Sequence, residues 1–460
     1  MVSLYQAHQK IYPRSVQGVF AQWRWLMVVI TQLVFYGLPW LEWGQRQAVL
    51  FDLEARRFYI FGLVLYPQDF IYLTGLLVIS ALSLFLFTAV AGRLWCGFAC
   101  PQTVYTEIFM WIERQFEGDR STRMRLDAAP LSLNKVWRKT GKQLAWIVLS
   151  LWTGFSFVGY FTPIRELTAS ILSLGFGPWE IFWILFYSLA TYGNAGFMRE
   201  QVCKYMCPYA RFQSAMFDKD TLIVTYDEAR GEPRGARSKK ADPQALGLGA
   251  CVDCTLCVQV CPTGIDIRQG LQYECIGCGA CVDVCDKVMD KVGYARGLIK
   301  FSTQNAMDKG WRWSQIVRRI FRPRVLVYTT VLWLIIAATG ISLWLREPFK
   351  VDIERDRAAM ARIVAGGKIE NVYRLQIMNA AEQVLRFELA ADGLPGLSME
   401  TPLQVDVDAI GSRWVSVRLH LPYDAAPPGS HPIDFRISAS TTDGEWLGRL
   451  SEKTVFLMPR

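Results

Sequence analysis

Eight cysteines between Cys251 and Cys285 carry the strongest chemical signal in this sequence. They form two runs, Cys251-x2-Cys254-x2-Cys257-x3-Cys261-Pro262 and Cys275-x2-Cys278-x2-Cys281-x3-Cys285. Close spacing lets one loop wrap three corners of a cube, and a distant thiolate closes the fourth. This is the spacing of a two-cluster bacterial ferredoxin, in which the last cysteine of each run ligates the other cluster. Cys251, Cys254, Cys257 and Cys285 are thereby assigned to one [4Fe–4S] cluster. Cys275, Cys278, Cys281 and Cys261 are assigned to the second. The chemistry is storage and relay of single electrons. Zinc also accepts four thiolates, but its sites usually use two separated Cys-x2-Cys pairs, not three cysteines in tandem. Asp286 follows Cys285 where a second proline is usual, which changes the local turn and not the ligation.

The other four cysteines fall in a repeat. Cys96-x3-Cys100-Pro101 and Cys203-x3-Cys207-Pro208 superimpose under a shift of 107 residues (203 − 96). The same shift carries the apolar stretch 70–91 onto 177–198. The copies have one orientation, which predicts a parallel repeat about an axis along the membrane normal and four thiols at one mouth. Proline fits the first position of a helix, so an amphipathic interfacial helix is expected after Pro101, through Ile108, Met110, Trp111 and Ile112. Cys100 and Cys207 then sit at helix N-termini, where the dipole is expected to lower a thiol pKa. Buried apolar cysteine is the plain alternative, but the doubled motif favours a redox or metal site. Cysteines at i and i+4 can share a soft metal. Copper(I) suits these thiolates, with Met110, Met198 and Met206 nearby, and a third iron–sulfur cluster on all four cysteines is the rival.

These residues need a membrane frame to position them. The chain has 460 residues, is 52% hydrophobic, contains 17 Trp and 26 Phe, and carries a formal charge of +9. Its mean hydropathy of +0.18 suits a membrane protein with soluble parts. No signal peptide is read near the N-terminus. Five spans are expected, at about 23–40, 70–91, 143–161, 179–196 and 325–345, giving a five-helix bundle. Trp23, Trp25, Trp40, Trp179 and Trp344 lie near their ends, where aromatic belts form. The loop 92–142 and the segment 198–324 are rich in Lys and Arg, whereas 162–178 carries only Arg165. The positive-inside rule then puts the N-terminus and both basic segments in the cytoplasm, and everything after Leu345 outside. This asymmetry accounts for the net charge, so nucleic acid is not an expected partner.

The expected organisation is a cytoplasmic N-terminal segment (1–22), a membrane domain (23–226), a basic linker (227–245), a two-cluster ferredoxin-like domain (246–300), the fifth span (325–345) and a β-domain (346–460). The linker, charged and rich in Gly and Pro, is expected to hold little helix or strand; membrane lipid is one partner it would meet. Past Arg346, stretches such as 372–378, 384–389 and 414–421 alternate apolar and polar residues, divided by Asp392-Gly393, Pro427-Pro428-Gly429 and Asp443-Gly444. That rhythm predicts a β-sandwich. His420 and His431 within it read as surface residues without a metal, since neither has a partner at ligand spacing. With His8 they are all the histidines, and none lies in an apolar span, which excludes bis-histidine haem there. No G-x-G-x-x-G follows a strand, so no internal NAD or flavin site is expected.

Taken together, Cys96–Pro101, Cys203–Pro208, the stretch YDEARGEPRG at Tyr226–Gly235 and the double cysteine run resemble the FixG/RdxA/CcoG family of membrane iron–sulfur proteins. That resemblance spans nearly the whole chain, and the tail from Asn371 is similar to the family's immunoglobulin-like C-terminal domain. It implies a multi-pass protein of the bacterial inner membrane that serves assembly of cbb-type cytochrome oxidase, with a periplasmic C-terminal domain. It further implies reduction of copper(II) to copper(I) on the cytoplasmic side, with oxidase assembly factors and copper chaperones or transporters as partners. The ferredoxin cysteines would relay electrons, and Cys96, Cys100, Cys203 and Cys207 would form the catalytic terminus. A quinol-linked or scaffold role, without catalysis, is the alternative reading. The electron donor is not identified by any motif.

Overall fold

A computed structural model describes residues 10–173, 175, 177–238, 246–356, 361–400 and 404–459. His8 and part of the expected linker, 239–245, lie outside the described residues. The chain forms two compact units, Met1–Glu42 with Leu73–Ala337, and Trp43–Tyr72 with Ala338–Arg460.

In the first unit, apolar runs become long helices because their side chains have no polar face to expose. Val19–Gly37, Phe70–Ala91, Leu133–Val158, Pro178–Thr191 and Pro323–Trp344 occupy the five expected stretches. Among the described residues, three helical stretches, Val19–Trp40, Pro67–Ala91 and Pro323–Trp344, are long and apolar enough to cross a membrane. Three of the five expected spans thus qualify by length and composition, and the other two stretches are helices that do not. Leu133–Val158 begins with Lys135, Arg138, Lys139 and Lys142, and Pro178–Thr191 is too short as a regular α-helix before its geometry changes. These two helices pack closely where Gly154 meets Ile184 O and Ser188; a Cβ at 154 would lie 2.4 Å from both.

A buried ion cluster ties the amphipathic helix Pro101–Glu117 to Leu133–Val158. Glu113, 1% exposed, lies 2.6 Å from Arg123, 3.0 Å from Arg199 and 3.9 Å from Lys142. Glu117 takes Lys142 at 2.8 Å and Lys139 at 2.9 Å. Burial raises the Glu113 pKa, but Arg199, Arg123 and Lys142 together outweigh it and hold the carboxyl below its usual range. A depressed carboxylate contributes stability that is present above its unfolded pKa and lost as pH falls through the folded value. Glu113→Ala should therefore destabilise this unit by about 3–5 kcal/mol, because it strands buried cations. The loss should shrink as acid titrates the native carboxylate. Thermal unfolding of both forms between neutral and acidic pH checks this.

In the second unit, strand alternation builds two antiparallel sheets. One runs Ser398–Met399, Ser412–Pro422, Lys368–Asn379, Phe349–Arg355, with Arg362–Val364 also on Lys368–Asn379. The other runs Gln404–Val407, Leu385–Asp392, Gly429–Thr441, Trp446–Met458. Inward residues of both, including Phe349, Tyr373, Phe387, Phe435 and Phe456, form one core. The expected sandwich is therefore present.

Two features depart from expectation. The segment between the first two long helices joins this unit through a three-stranded sheet, Val49–Asp52, Arg57–Ile60 and Leu63–Leu65. Leu50, Tyr59, Val64 and Tyr66 pack on Met378 and Ala380, and buried Asp69 holds Arg346 at 2.6 Å. His420 is also not a surface residue. It is 8% exposed and its Nε2 lies 2.9 Å from Glu370, its cross-strand neighbour, while Nδ1 faces Glu400 at 3.5 Å. These three donors lie close enough to hold an ion. Both imidazole nitrogens already face carboxylates, and Arg362 pairs with the other Glu370 oxygen, so the group reads as a polar network bracing the sheet. His431 hydrogen-bonds the Pro427 carbonyl at 2.7 Å.

Candidate redox site

The two cysteine runs fold as loops that need left-handed backbone. Asp253 and Thr255 adopt φ of 48° and 54° between the first three cysteines, and Gly277 and Gly279 adopt 67° and 71° around Cys278. Cys281 and Cys285 share one face of the helix Ala280–Val292 at i and i+4. Because residue 286 is Asp rather than Pro, this helix continues past Cys285, and the Asp286 carboxylate accepts from Gly297 N at 2.9 Å.

Two cavities result. One is lined by Cys251, Cys254, Cys257 and Cys285, with Leu298 and Ile299 beside them. The other is lined by Cys261, Cys275, Cys278 and Cys281, with Cys257 at its edge. The structure thus brings together the two thiol sets expected from the spacing, each with four thiolate donors around a small apolar void. That donor chemistry fits a cubane cluster in each. In the metal-free chain, burial pushes the Cys257 thiol up to about 11 and Cys285 up to about 12.

The stretch 227–238, expected to be a loose linker, instead straps the first loop. Glu228–Gly231 forms a short helix, Arg230 donates to the Ala295 carbonyl at 2.6 Å, and Arg237 donates to the Gly249 carbonyl at 2.7 Å. Gly231 is required here, since a Cβ would lie 2.2 Å from the Tyr226 hydroxyl.

The four remaining thiols also converge. Cys96 interacts electrostatically with Cys100 and Cys207, and Cys203 with Cys100, Cys96 and Cys207. Cys100 and Cys207 are the N-caps of the helices Pro101–Glu117 and Pro208–Met216, as the proline positions predict. The two copies of the repeat nevertheless differ locally. Cys96 lies on an α-helix, Leu94–Phe98, whereas Cys203 lies on a π-helical turn, Val202–Met206, preceded by another, Tyr192–Met198. Arg199 joins these turns with φ of 37°, its guanidinium fixed on Glu113. Wide turns of this kind are rare and are found frequently at functional sites.

The expectation for Cys100 is overturned. Burial raises its thiol pKa, and the Gln102 and Thr103 amides that point at it do not compensate. Burial likewise lifts Cys96 to about 11 and Cys203 to about 12. Of the neighbouring methionines, Met206 is 56% exposed, while Met110 lines a cavity beside Cys203 with Glu107 and Glu200.

Several residues that join the two sites or brace their surroundings carried no sequence signal. Gly97 packs on the second cysteine loop, where a Cβ would lie 2.8 Å from Cys278 Cα, 2.8 Å from Ile276 O and 2.9 Å from Cys278 N. Arg93, 7% exposed, donates to the Tyr273 and Ala210 carbonyls, and so bridges the ferredoxin loop to the helix after Pro208. Gln213, fully buried, has its amide 3.4 Å from Cys96 Sγ. Asp283 accepts from Phe20 N at 3.1 Å and Ala21 N at 2.8 Å, capping the first long helix. Asp283→Ala should cost about 1.5–3 kcal/mol for a charged hydrogen-bond acceptor lost from the interior. Protease susceptibility of the junction at residues 18–21 should rise in that variant while its iron content holds.

Cysteine loops, joined thiol sites and apolar helices define an iron–sulfur electron-transfer protein with membrane-spanning helices. A profile described as a 4Fe-4S dicluster domain matches residues 198–304, and one described as a 4Fe-4S binding domain matches 73–117. A third, an IG-like fold at the C-terminus of FixG, matches 339–459. Nitrogen fixation protein FixG of Rhizobium meliloti is 38% identical over 94% of this chain and 92% of that protein. Protein RdxA of Cereibacter sphaeroides is 40% identical over 96% of this chain and 95% of that protein. A crystal structure of a FixG-related protein from Vibrio parahaemolyticus covers 24% of this chain and 97% of that one at 18% identity, with a TM-score of 0.21. The chain belongs to the FixG/RdxA family.

Proposed function

We propose that the chain passes electrons from its eight ferredoxin thiol positions to the site formed by Cys96, Cys100, Cys203 and Cys207, where copper(II) is reduced to copper(I). The contact of Gly97 with the backbone of Cys278 carries this reading, because it leaves no layer of protein between the second thiol set and the helix bearing Cys96. A [4Fe–4S] cluster held by Cys251, Cys254, Cys257 and Cys285, or by Cys261, Cys275, Cys278 and Cys281, would supply one electron at a time. The reduction needs one: copper(II) gains an electron and becomes copper(I). Soft thiolates then favour the product over the substrate ion. Burial raises the Cys96, Cys203 and Cys275 thiols, and the positive charge of Arg93 beside all three offsets part of that rise. The receivers would be copper chaperones or assembly factors of a cbb-type oxidase, and the donor a quinol or a soluble reductant.

The proposed topology places the N-terminus and cysteine loops in the cytoplasm and the β-domain in the periplasm of a bacterial inner membrane. It is supported by the composition of the second unit. Crossings at the three qualifying helices put Trp43–Tyr72 and Ala338–Arg460 on one side, where they pack together. Adding Leu133–Val158 and Pro178–Thr191 as a spanning hairpin, for five in all, leaves that result unchanged.

Reduced protein mixed anaerobically with copper(II) should form copper(I) faster than a Cys275→Ser, Cys278→Ser variant. Equal rates would sink the reductase reading. A second reading, a third cluster on the four thiols, is favoured by the 4Fe-4S binding profile across Cys96 and Cys100.

A further inference from the structure

We infer that the basic turn leading into the last long helix is a binding site for the phosphate of an anionic phospholipid. Residues 309–324 read KGWRWSQIVRRIFRPR and contain no acidic residue. Trp313, Val317 and Phe321 recur every four residues and are 61%, 38% and 69% exposed. They form an apolar line at the start of Pro323–Trp344, one of the helices long enough to cross a bilayer. Beside them lies a cavity of about 420 Å³, lined by Trp311, Gln315, Arg318, Arg319, Phe321 and Arg322, with Pro323.

The three guanidiniums are not equally committed. Arg322, 9% exposed, donates to the Asp220 and Ala89 carbonyls and pairs with Asp218 at 3.0 Å. Its Nε is nonetheless buried without a hydrogen-bond partner. Arg319 lies 3.5 Å from Asp220 and over the Trp311 ring. Arg318 has no ion pair among the described residues. Arg324, outside the lining, also faces Asp218, at 3.7 Å. The two carboxylates therefore leave net positive charge at the cavity. Arginine forks match phosphate oxygens in pairs, and tryptophan sits favourably at headgroup depth. Phosphate held by Arg318 and Arg319, with Trp313 and Phe321 among the acyl chains, satisfies both faces of the turn. Free phosphate shares the first half of that chemistry and not the second.

The test is native mass spectrometry of the full chain in detergent, titrated with phosphatidylglycerol, with phosphatidylcholine, and with inorganic phosphate. Phosphatidylglycerol should bind about tenfold tighter than phosphatidylcholine, the ratio that 1.4 kcal/mol confers. The preference should vanish in an Arg318→Gln, Arg319→Gln variant with unchanged iron content. Should that variant fail to fold, added salt must erase the preference in the wild-type chain, because screening weakens exposed charge pairs. Equal binding of the two lipids, or a preference insensitive to salt, would overturn the proposal. So would displacement of phosphatidylglycerol by millimolar inorganic phosphate, which would assign the site to the free anion.

Discussion

Gly97→Val should uncouple the two thiol sites while leaving the ferredoxin loops loaded. The three nearest atoms that a Cβ at this position would meet, all within 3 Å, are backbone atoms of Cys278 and Ile276, which cannot rotate aside as a side chain can. Overpacking of this kind costs about 1–3 kcal/mol. The strain is relieved most simply if the short helix Leu94–Phe98 moves away from the loop, taking Cys96 with it. Iron content should stay at the wild-type value while the rate of electron delivery to copper(II) falls well below it. Gly97→Ala should show a smaller loss of the same kind. Retention of full transfer in the valine variant would separate electron delivery from this contact.

The second large effect concerns stoichiometry. The chain isolated without oxygen should carry about eight irons and eight acid-labile sulfides, four of each per cubane. Cys278→Ser should remove about four irons, because its thiol lines one cavity and not the other. Cys203→Ser and Cys207→Ser should leave the iron count unchanged. An iron count near twelve, falling by about four on loss of Cys203, would assign a third cluster to the repeat and displace copper from it.

How far the sequence disclosed these sites depends on whether the chemistry is local. The ferredoxin thiol sets were legible because a cubane dictates spacing along one chain, and both cavities contain the residues that the spacing pairs. Phe70–Ala91 was legible to the residue, since an uninterrupted apolar run has one stable form in a bilayer. The N-caps at Cys100 and Cys207 followed from the prolines after them. The raised Cys100 pKa did not, because dipole is a property of the helix and desolvation a property of everything packed around it. Gly97, Arg93 and Asp283 were silent for the same reason: each acts across more than a hundred residues of sequence. The hairpins at Val49–Leu65 lack a long alternating run, and their apolar partners, Met378 and Ala380, lie in the distant β-domain. The shift of 107 residues located both cysteine pairs but could not reveal that one copy is wound as π-helix.

Electrons are proposed to leave through the four repeated thiols. Stopped-flow absorbance of the reduced, iron-loaded chain mixed with copper(II), compared with a variant carrying Ser at positions 96, 100, 203 and 207, tests it most directly. Rapid recovery of the oxidised cluster absorbance is expected in the wild-type chain, matched by copper(I) formation, with slow recovery in the variant at equal iron content. Recovery at the same rate in both would contradict it and place the exit elsewhere.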